Sequence, residues 1–356
     1  MRIVIIGAGP IGCYLGQLLK QYGFSPLILE EHPEIGIPKH CAGLVGNTFF
    51  KNSRIPLPRD LIKNKINGAI ISYQNESFPL IRENAAFVID REKLDKKLCE
   101  GLEIKKETKL LSLEKKDKNY LLYTNKGTFS CDVVIGADGA TSMVRKKSGL
   151  KIKPVFYKGV QFRIKQKVTP VDMVQVHFTR PFLHFCWIIP EDEKVIRAGS
   201  ISPEPLRTLE SFMQKMKIKN GIIEKMGGVI SIGYGETYKD GLILVGDAAC
   251  QVKPLSGGGL YYGMRCAETL ADCIKEEKIS SYDSKWKKQI GKEIRSSLKI
   301  RNFLEKRDIS FLEMLFNLAK KNHHLIEKIA DFERHSFSVF SLARAIGKGI
   351  PKILFR

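Results

Sequence analysis

The chain lacks several features that would mark other classes of protein. No run of 18 or more apolar residues occurs in its 356 residues, so no segment is expected to span a bilayer as a helix. Low-complexity tracts are absent, and 43% hydrophobic with 27% charged residues is a globular composition, which excludes extensive disorder. The eight cysteines (13, 41, 99, 131, 186, 250, 266 and 273) form no C-x-x-C pair and no Cys/His cluster at zinc-ligand spacing. That scatter predicts free thiols in a reducing, cytoplasmic compartment and no metal. The first residues lack a signal peptide's shape, because glycines break the apolar run at once. Neither G-x-x-x-x-G-K-[ST], G-x-S-x-G nor H-E-x-x-H is present, which removes the P-loop, α/β-hydrolase and zincin signatures.

What the chain has in excess is positive charge. Fifty-nine Lys and Arg against 38 Asp and Glu leave +21, a field that attracts polyanions. Residues 284–356 hold 17 Lys/Arg against 7 Asp/Glu, ten charges of that excess. Within Phe337–Arg356, apolar residues alternate with Arg344, Lys348, Lys352 and Arg356. Such a stretch suits an anionic membrane surface, and it equally suits a packed helical tail with a solvated lysine face. Nucleic acid is disfavoured, because no binding module accompanies the charge.

Arg2–Ile6 reads as a strand that breaks into Gly7-Ala8-Gly9-Pro10-Ile11-Gly12 and then a helix. In G-x-G-x-x-G the first glycine makes the turn, the second admits a pyrophosphate and the third lets helix and strand pack closely. Pro10 and Ile11 complete the loop. Glu30 ends the next strand, 18 residues after Gly12, where an acid can accept from a ribose hydroxyl, with Glu31 its adjacent competitor. Later come a strand turning at Asp138-Gly139, another delivering Gly246-Asp247, and Pro254-Leu255-Ser256-Gly257-Gly258-Gly259-Leu260 opening a helix. Asp247 can bind a ribityl hydroxyl, while the amides of Gly257–Leu260 can face a flavin's polar edge.

In this order the motifs resemble the glutathione-reductase-type FAD domain of the para-hydroxybenzoate hydroxylase superfamily, over residues 1–280. The resemblance implies FAD as cofactor and places Arg91, in Ile89-Asp90-Arg91, beside its pyrophosphate. More narrowly, Pro38-Lys39-His40-Cys41-Ala42-Gly43 looks like the Cys-containing loop of the geranylgeranyl reductase family. That likeness implies Cys41, Ala42 and Gly43 beside the flavin, with Cys41 and His40 as proton-handling candidates. Phe182–Pro190 resembles the family's aromatic substrate motif: Phe185, Trp187 and Pro190 align, while His184 stands for Gly and Ile189 for Phe.

The expected fold is α/β. A discontinuous Rossmann FAD domain (1–67, 91–152 and 233–283) is interrupted by an antiparallel-sheet substrate domain (68–90 and 153–232) and followed by a basic helical region (284–356). The function implied is FAD-dependent saturation of C=C bonds in geranylgeranyl chains, carried on a lipid or a diphosphate. No second G-x-G-x-x-G accompanies the first, so NADPH and ferredoxin both stay open as electron donor. Two alternatives stand beside this reading: an FAD monooxygenase of the same fold, and a non-enzymatic basic peripheral membrane or RNA-binding protein with a vestigial Rossmann domain.

Overall fold

The computed structural model describes residues 1–218, 221–336, 338, 339 and 341. Ile3–Ile6 is buried on both faces, as a four-residue run of β-branched side chains requires, and forms the middle of a parallel sheet. Leu27–Leu29 pairs with it on one side and Val133–Gly136 on the other. Glu103–Lys105 extends the first flank; Leu242–Leu244 and a short antiparallel edge, Tyr238–Lys239, extend the second. Strand order thus reverses direction at Ile3–Ile6, and the crevice beyond its carboxyl end is where an open α/β sheet takes a ligand. Helix α1 (Pro10–Gln21) rises from that end and packs against helix α2 (Arg91–Cys99). The short helix α3 (Met143–Lys147) follows Val133–Gly136. A three-stranded sheet spanning Leu110–Cys131, not expected from sequence, covers this layer through Leu110, Tyr120 and Leu122.

Two cysteine expectations need correction. Cys13 of α1 and Cys99 at the end of α2 are joined as a disulfide, with Cα atoms 5.2 Å apart. They lie 86 residues apart in sequence and in no recognisable spacing, and only the packing of α1 on α2 brings them together.

The second sheet has eight strands in the order Ile222–Ile232, Val155–Lys165, Val195–Ile201, His184–Pro190, Met173–Arg180, Ile62–Tyr73, Glu76–Ile89 and Leu44–Gly46. Pairing is antiparallel except where Met173–Arg180 runs parallel to Ile62–Tyr73. Leu44–Gly46 and residues 62–67 therefore belong to this sheet rather than to the nucleotide domain. The run Lys63-Asn64-Lys65 hid the strand's start, because its polar side chains break the apolar signal. Helix α4 (Pro205–Lys215) closes one face over Phe162, Ile188 and Ile196.

Helix α5 (Leu260–Lys275) lies along α1, and the Tyr14 hydroxyl donates to Glu268 at 2.7 Å. After it, α6 (Lys292–Glu305), α7 (Ile309–Lys321) and α8 (His323–Ile329) pack onto the eight-stranded sheet through Leu304, Leu312 and Phe316. Helical structure, expected to continue through the region, is broken after α8 by residues 330–334. The basic apolar stretch read at Phe337–Arg356 lies, apart from residues 338, 339 and 341, outside the described residues. Among those described, no helix is long and apolar enough to cross a membrane.

Candidate functional site

The glycine loop is built for close backbone approach. Gly7 has φ +101°, and a Cβ there would stand 2.5 Å from the Ala137 carbonyl oxygen. Gly9, the N-cap of α1, has nothing within 4 Å of the position a Cβ would take, so its face is open. No side chain caps α1, leaving its first amides available to an anion. Gly7, Gly9, Pro10 and Ile11 line the cavity, whereas Gly12 packs against Gly7. Glu30 is buried; its Oε2 accepts from the Ala8 amide at 2.7 Å and its Oε1 from the His32 amide at 2.9 Å. The loop and the acid are thus locked together, and Glu30 keeps lone pairs for a further donor. Glu31 turns outward to Lys109, 3.0 Å away.

Across the crevice, Asp138 lines the cavity, yet its oxygens are committed to Ser142 Oγ at 2.5 Å and the Val144 amide at 3.0 Å. Its carboxylate closes the turn after Gly139 and seats α3. Arg145 of α3 donates to the Ala248 carbonyl at 2.8 Å and to Ala140, fastening the second glycine turn to the third. Asp247 presents the opposite case. It lines the cavity, and among the described residues none donates to its carboxylate. Burial pushes its carboxyl up to about 6, against the pull of Arg91 and Arg145. Gly259 leaves room for it, since a Cβ there would lie 2.5 Å from Asp247 Oδ1. Gly257, Gly258, Gly259 and Leu260 line the cavity beside it; Gly246 and Pro254 do not, and serve the turn itself.

The Cys41 loop is held from three directions. Lys39 bridges Glu92 and Glu224, each at 3.1 Å. Arg91 grips Asp95 through Nε at 3.3 Å and Nη2 at 3.1 Å, and touches the Cys41 side chain. Arg197, which sequence reading missed, reaches over from Val195–Ile201 and donates to the carbonyls of Ala42 at 2.7 Å and Ile89 at 3.1 Å. Glu191 holds Arg197 Nε at 3.0 Å and Arg163 at 2.7 and 2.8 Å. Burial would raise the Glu191 carboxyl, but the two guanidiniums keep it below the usual glutamate value. Gly43, at φ +68°, is the point where Arg197 crosses the loop, and any side chain there would meet the guanidinium. The one signal in sequence was a charged residue inside the buried strand Val195–Ile201. Cys41 lines the cavity with Ala42, and its sulfur accepts from the Gly43 amide at 3.3 Å. His40 is exposed at the rim, its Nδ1 bonded to the Gly227 carbonyl at 2.7 Å.

These elements open into one cavity of about 1620 Å³. That exceeds the roughly 300–1,000 Å³ of an ordinary ligand pocket and leaves room for a dinucleotide and a second ligand together. Its far end is apolar. Along His184–Pro190 the period of two sends Cys186 and Ile188 to the α4 side and Phe185, Trp187 and Ile189 into the cavity. Pro190, expected as a substrate residue, is buried outside the lining and gives its carbonyl to Asn64 at 3.0 Å. Alternation puts Ile189 in the wall instead. Trp187 donates to Gln161 at 2.9 Å and lies 5.9 Å, centroid to centroid, from Phe185. Phe178 and Phe182 continue the aromatic wall. Gly199 makes space for the indole, since a Cβ would overlap its ring.

Residues 5–39 match the NAD(P)-binding Rossmann-like domain family, and residues 94–219 match the FAD binding domain family. Digeranylgeranylglycerophospholipid reductase 2 of Methanothermobacter thermautotrophicus is 30% identical over 92% of this chain and 94% of its own. The chain belongs to the digeranylgeranylglycerophospholipid reductase family. An uncharacterised protein of Methanocaldococcus jannaschii is 32% identical over 98% of this chain and 96% of that one. A geranylgeranyl bacteriochlorophyll reductase-like protein of Thermoplasma acidophilum shares the fold, with a TM-score of 0.81 at 22% identity over 99% of this chain and 97% of the other. The cofactor of this chain is FAD. The open face at Gly9, the uncapped α1 terminus and the undonated Asp247 carboxylate are the features of this chain that suit it.

Proposed function

We propose that the protein saturates C=C bonds of geranylgeranyl chains carried on a glycerophospholipid or a diphosphate, using FAD. The observation that carries this is that the aromatic wall of Phe178, Phe182, Phe185 and Trp187 lines the same cavity as the glycine loop, Cys41 and Gly257–Leu260. Bound and reduced, FAD supplies a hydride to an alkene carbon. The α1 terminus with Gly7, Gly9, Pro10 and Ile11 would take the pyrophosphate, aided by Arg91; Glu30 would take the adenosine ribose and Asp247 the ribityl chain.

The rest of the work falls to the tunnel. Phe185, Trp187, Ile189, Val174 and Val176 offer a prenyl chain a surface without charge, where each buried CH₂ contributes about 0.8 kcal/mol. They also exclude water from the alkene. Cys41 in the cavity wall, or His40 at its rim, would pass a proton to the second carbon. The test is direct: reduced holo-protein is given a geranylgeranyl-bearing lipid, and the product mass is read for two added hydrogens per double bond.

A further inference from the structure

Lys253 is a lysine where lysines are rare: it is 6% exposed, in the wall of the cavity. Its backbone closes the loop that precedes α5, its amide donating to the Gly258 carbonyl at 2.9 Å and its carbonyl accepting from the Gly257 amide at 2.8 Å. Its side chain folds back across the same loop, so that Nζ lies 3.9 Å from where a Cβ on Gly258 would be. There the ammonium donates to the Phe332 carbonyl at 2.7 Å, sits 4.3 Å from the Phe332 ring centroid and pairs with Glu333 Oε2 at 2.7 Å. Glu333 is 5% exposed and is fixed in turn: its carbonyl accepts from the Tyr262 hydroxyl at 2.5 Å and its Oε1 from Thr48 at 3.3 Å.

A buried ion pair rarely gains stability over apolar packing of the same volume, and this one lies against the loop that would face the flavin. We propose that Lys253 sets the reduction potential of the bound FAD, its positive charge favouring the electron-rich reduced flavin across Gly258, and that Glu333 is the positioning residue that holds the ammonium there. Charge near the ring is one of the few levers a protein has on flavin electronics, and Lys253 lines the cavity beside Gly257–Leu260, where the ring would lie. Burial pushes the Lys253 ammonium below its ordinary lysine value, and Glu333 opposes that push.

The inference rests on the placement of FAD against Gly257–Leu260, not on the prenyl substrate, so its measurement needs no substrate. Spectroelectrochemical titration of the holo-protein gives the midpoint potential, run beside FAD affinity and melting temperature. Lys253→Met is expected to shift the oxidised-to-reduced equilibrium at least tenfold toward oxidised flavin, about 30 mV lower for a two-electron couple. Lys253→Gln, which keeps hydrogen-bonding capacity, is expected to do the same and replaces Lys253→Met should that variant not fold. Lys253→Arg keeps the charge and is expected to keep the wild-type potential. A neutral variant at the wild-type potential, or an arginine variant shifted as far as the neutral ones, overturns the proposal. A wild-type protein that loads no FAD overturns the cofactor assignment instead.

Discussion

Arg197→Met removes the link between the substrate sheet and the Cys41 loop, and its cost can be worked from the structure. Three hydrogen bonds disappear: to Glu191 Oε2 at 3.0 Å, to the Ala42 carbonyl at 2.7 Å and to the Ile89 carbonyl at 3.1 Å. Glu191 keeps both bonds from Arg163, so no buried charge is left alone. The two carbonyls do lose a donor, at about 1–3 kcal/mol each, for a total of about 2–6 kcal/mol. With an unfolding entropy of roughly 2.1 cal/mol/K per residue over 356 residues, that corresponds to a fall in melting temperature of about 3–8 °C. The damage should concentrate in the loop 38–43. If about 2 kcal/mol of it is felt by the flavin, FAD affinity drops roughly thirtyfold. Arg197→Lys should be intermediate, since an ammonium cannot reproduce the guanidinium fork. Scanning fluorimetry and an FAD fluorescence titration read both effects. A methionine variant that melts within about 1 °C of wild type and binds FAD equally well would refute the reasoning.

Gly199→Ala should push Trp187 from its seat at a cost of about 1–3 kcal/mol and lower kcat/KM for a geranylgeranyl substrate, with the flavin spectrum unchanged; unchanged kinetics would remove Trp187 from the tunnel. His177, its ring tilted against Phe212 at 4.9 Å between centroids, has its pKa pushed down to about 4 by burial, with Lys215 adding to the effect. Between pH 6.5 and 4 the unfolded chain therefore takes up a proton that the folded one refuses, and stability falls as pH falls. His177→Phe should flatten that loss, by about 2 kcal/mol between pH 7 and 5 in urea midpoints, from a slope of about 1.36 kcal/mol per pH unit. Equal slopes in the two proteins would contradict this.

What could be read in the sequence was local chemistry with fixed spacing. Gly7, Gly9 and Gly12 must follow a strand and open a helix to serve a pyrophosphate, so their role is written in a window of six residues. The eight-stranded sheet was legible only in part. Lys63-Asn64-Lys65 interrupts the strand Ile62–Tyr73, and Leu44–Gly46 is three residues long. Pro190 was misplaced because a motif gives order while the pleat gives direction, and alternation sends Ile189 into the cavity instead. The roles of Arg197, Glu191, Lys253 and Glu333 could not be read for another reason. Their partners lie 155 residues away for Ala42 and Arg197, and 80 residues apart for Lys253 and Glu333. The Cys13–Cys99 pair belongs to the same class, since nothing in sequence brings α1 onto α2.

The central claim is that a prenyl chain in the aromatic tunnel is saturated by the flavin held at its mouth. The most direct measurement is anaerobic single turnover: photoreduced holo-protein is mixed with a geranylgeranyl glycerophospholipid, flavin reoxidation is followed by absorbance, and the lipid is analysed by mass spectrometry. Reoxidation is expected to depend on the lipid, with two hydrogens gained for each flavin oxidised. Flavin that stays reduced in the presence of the lipid, with no change in lipid mass, would contradict it.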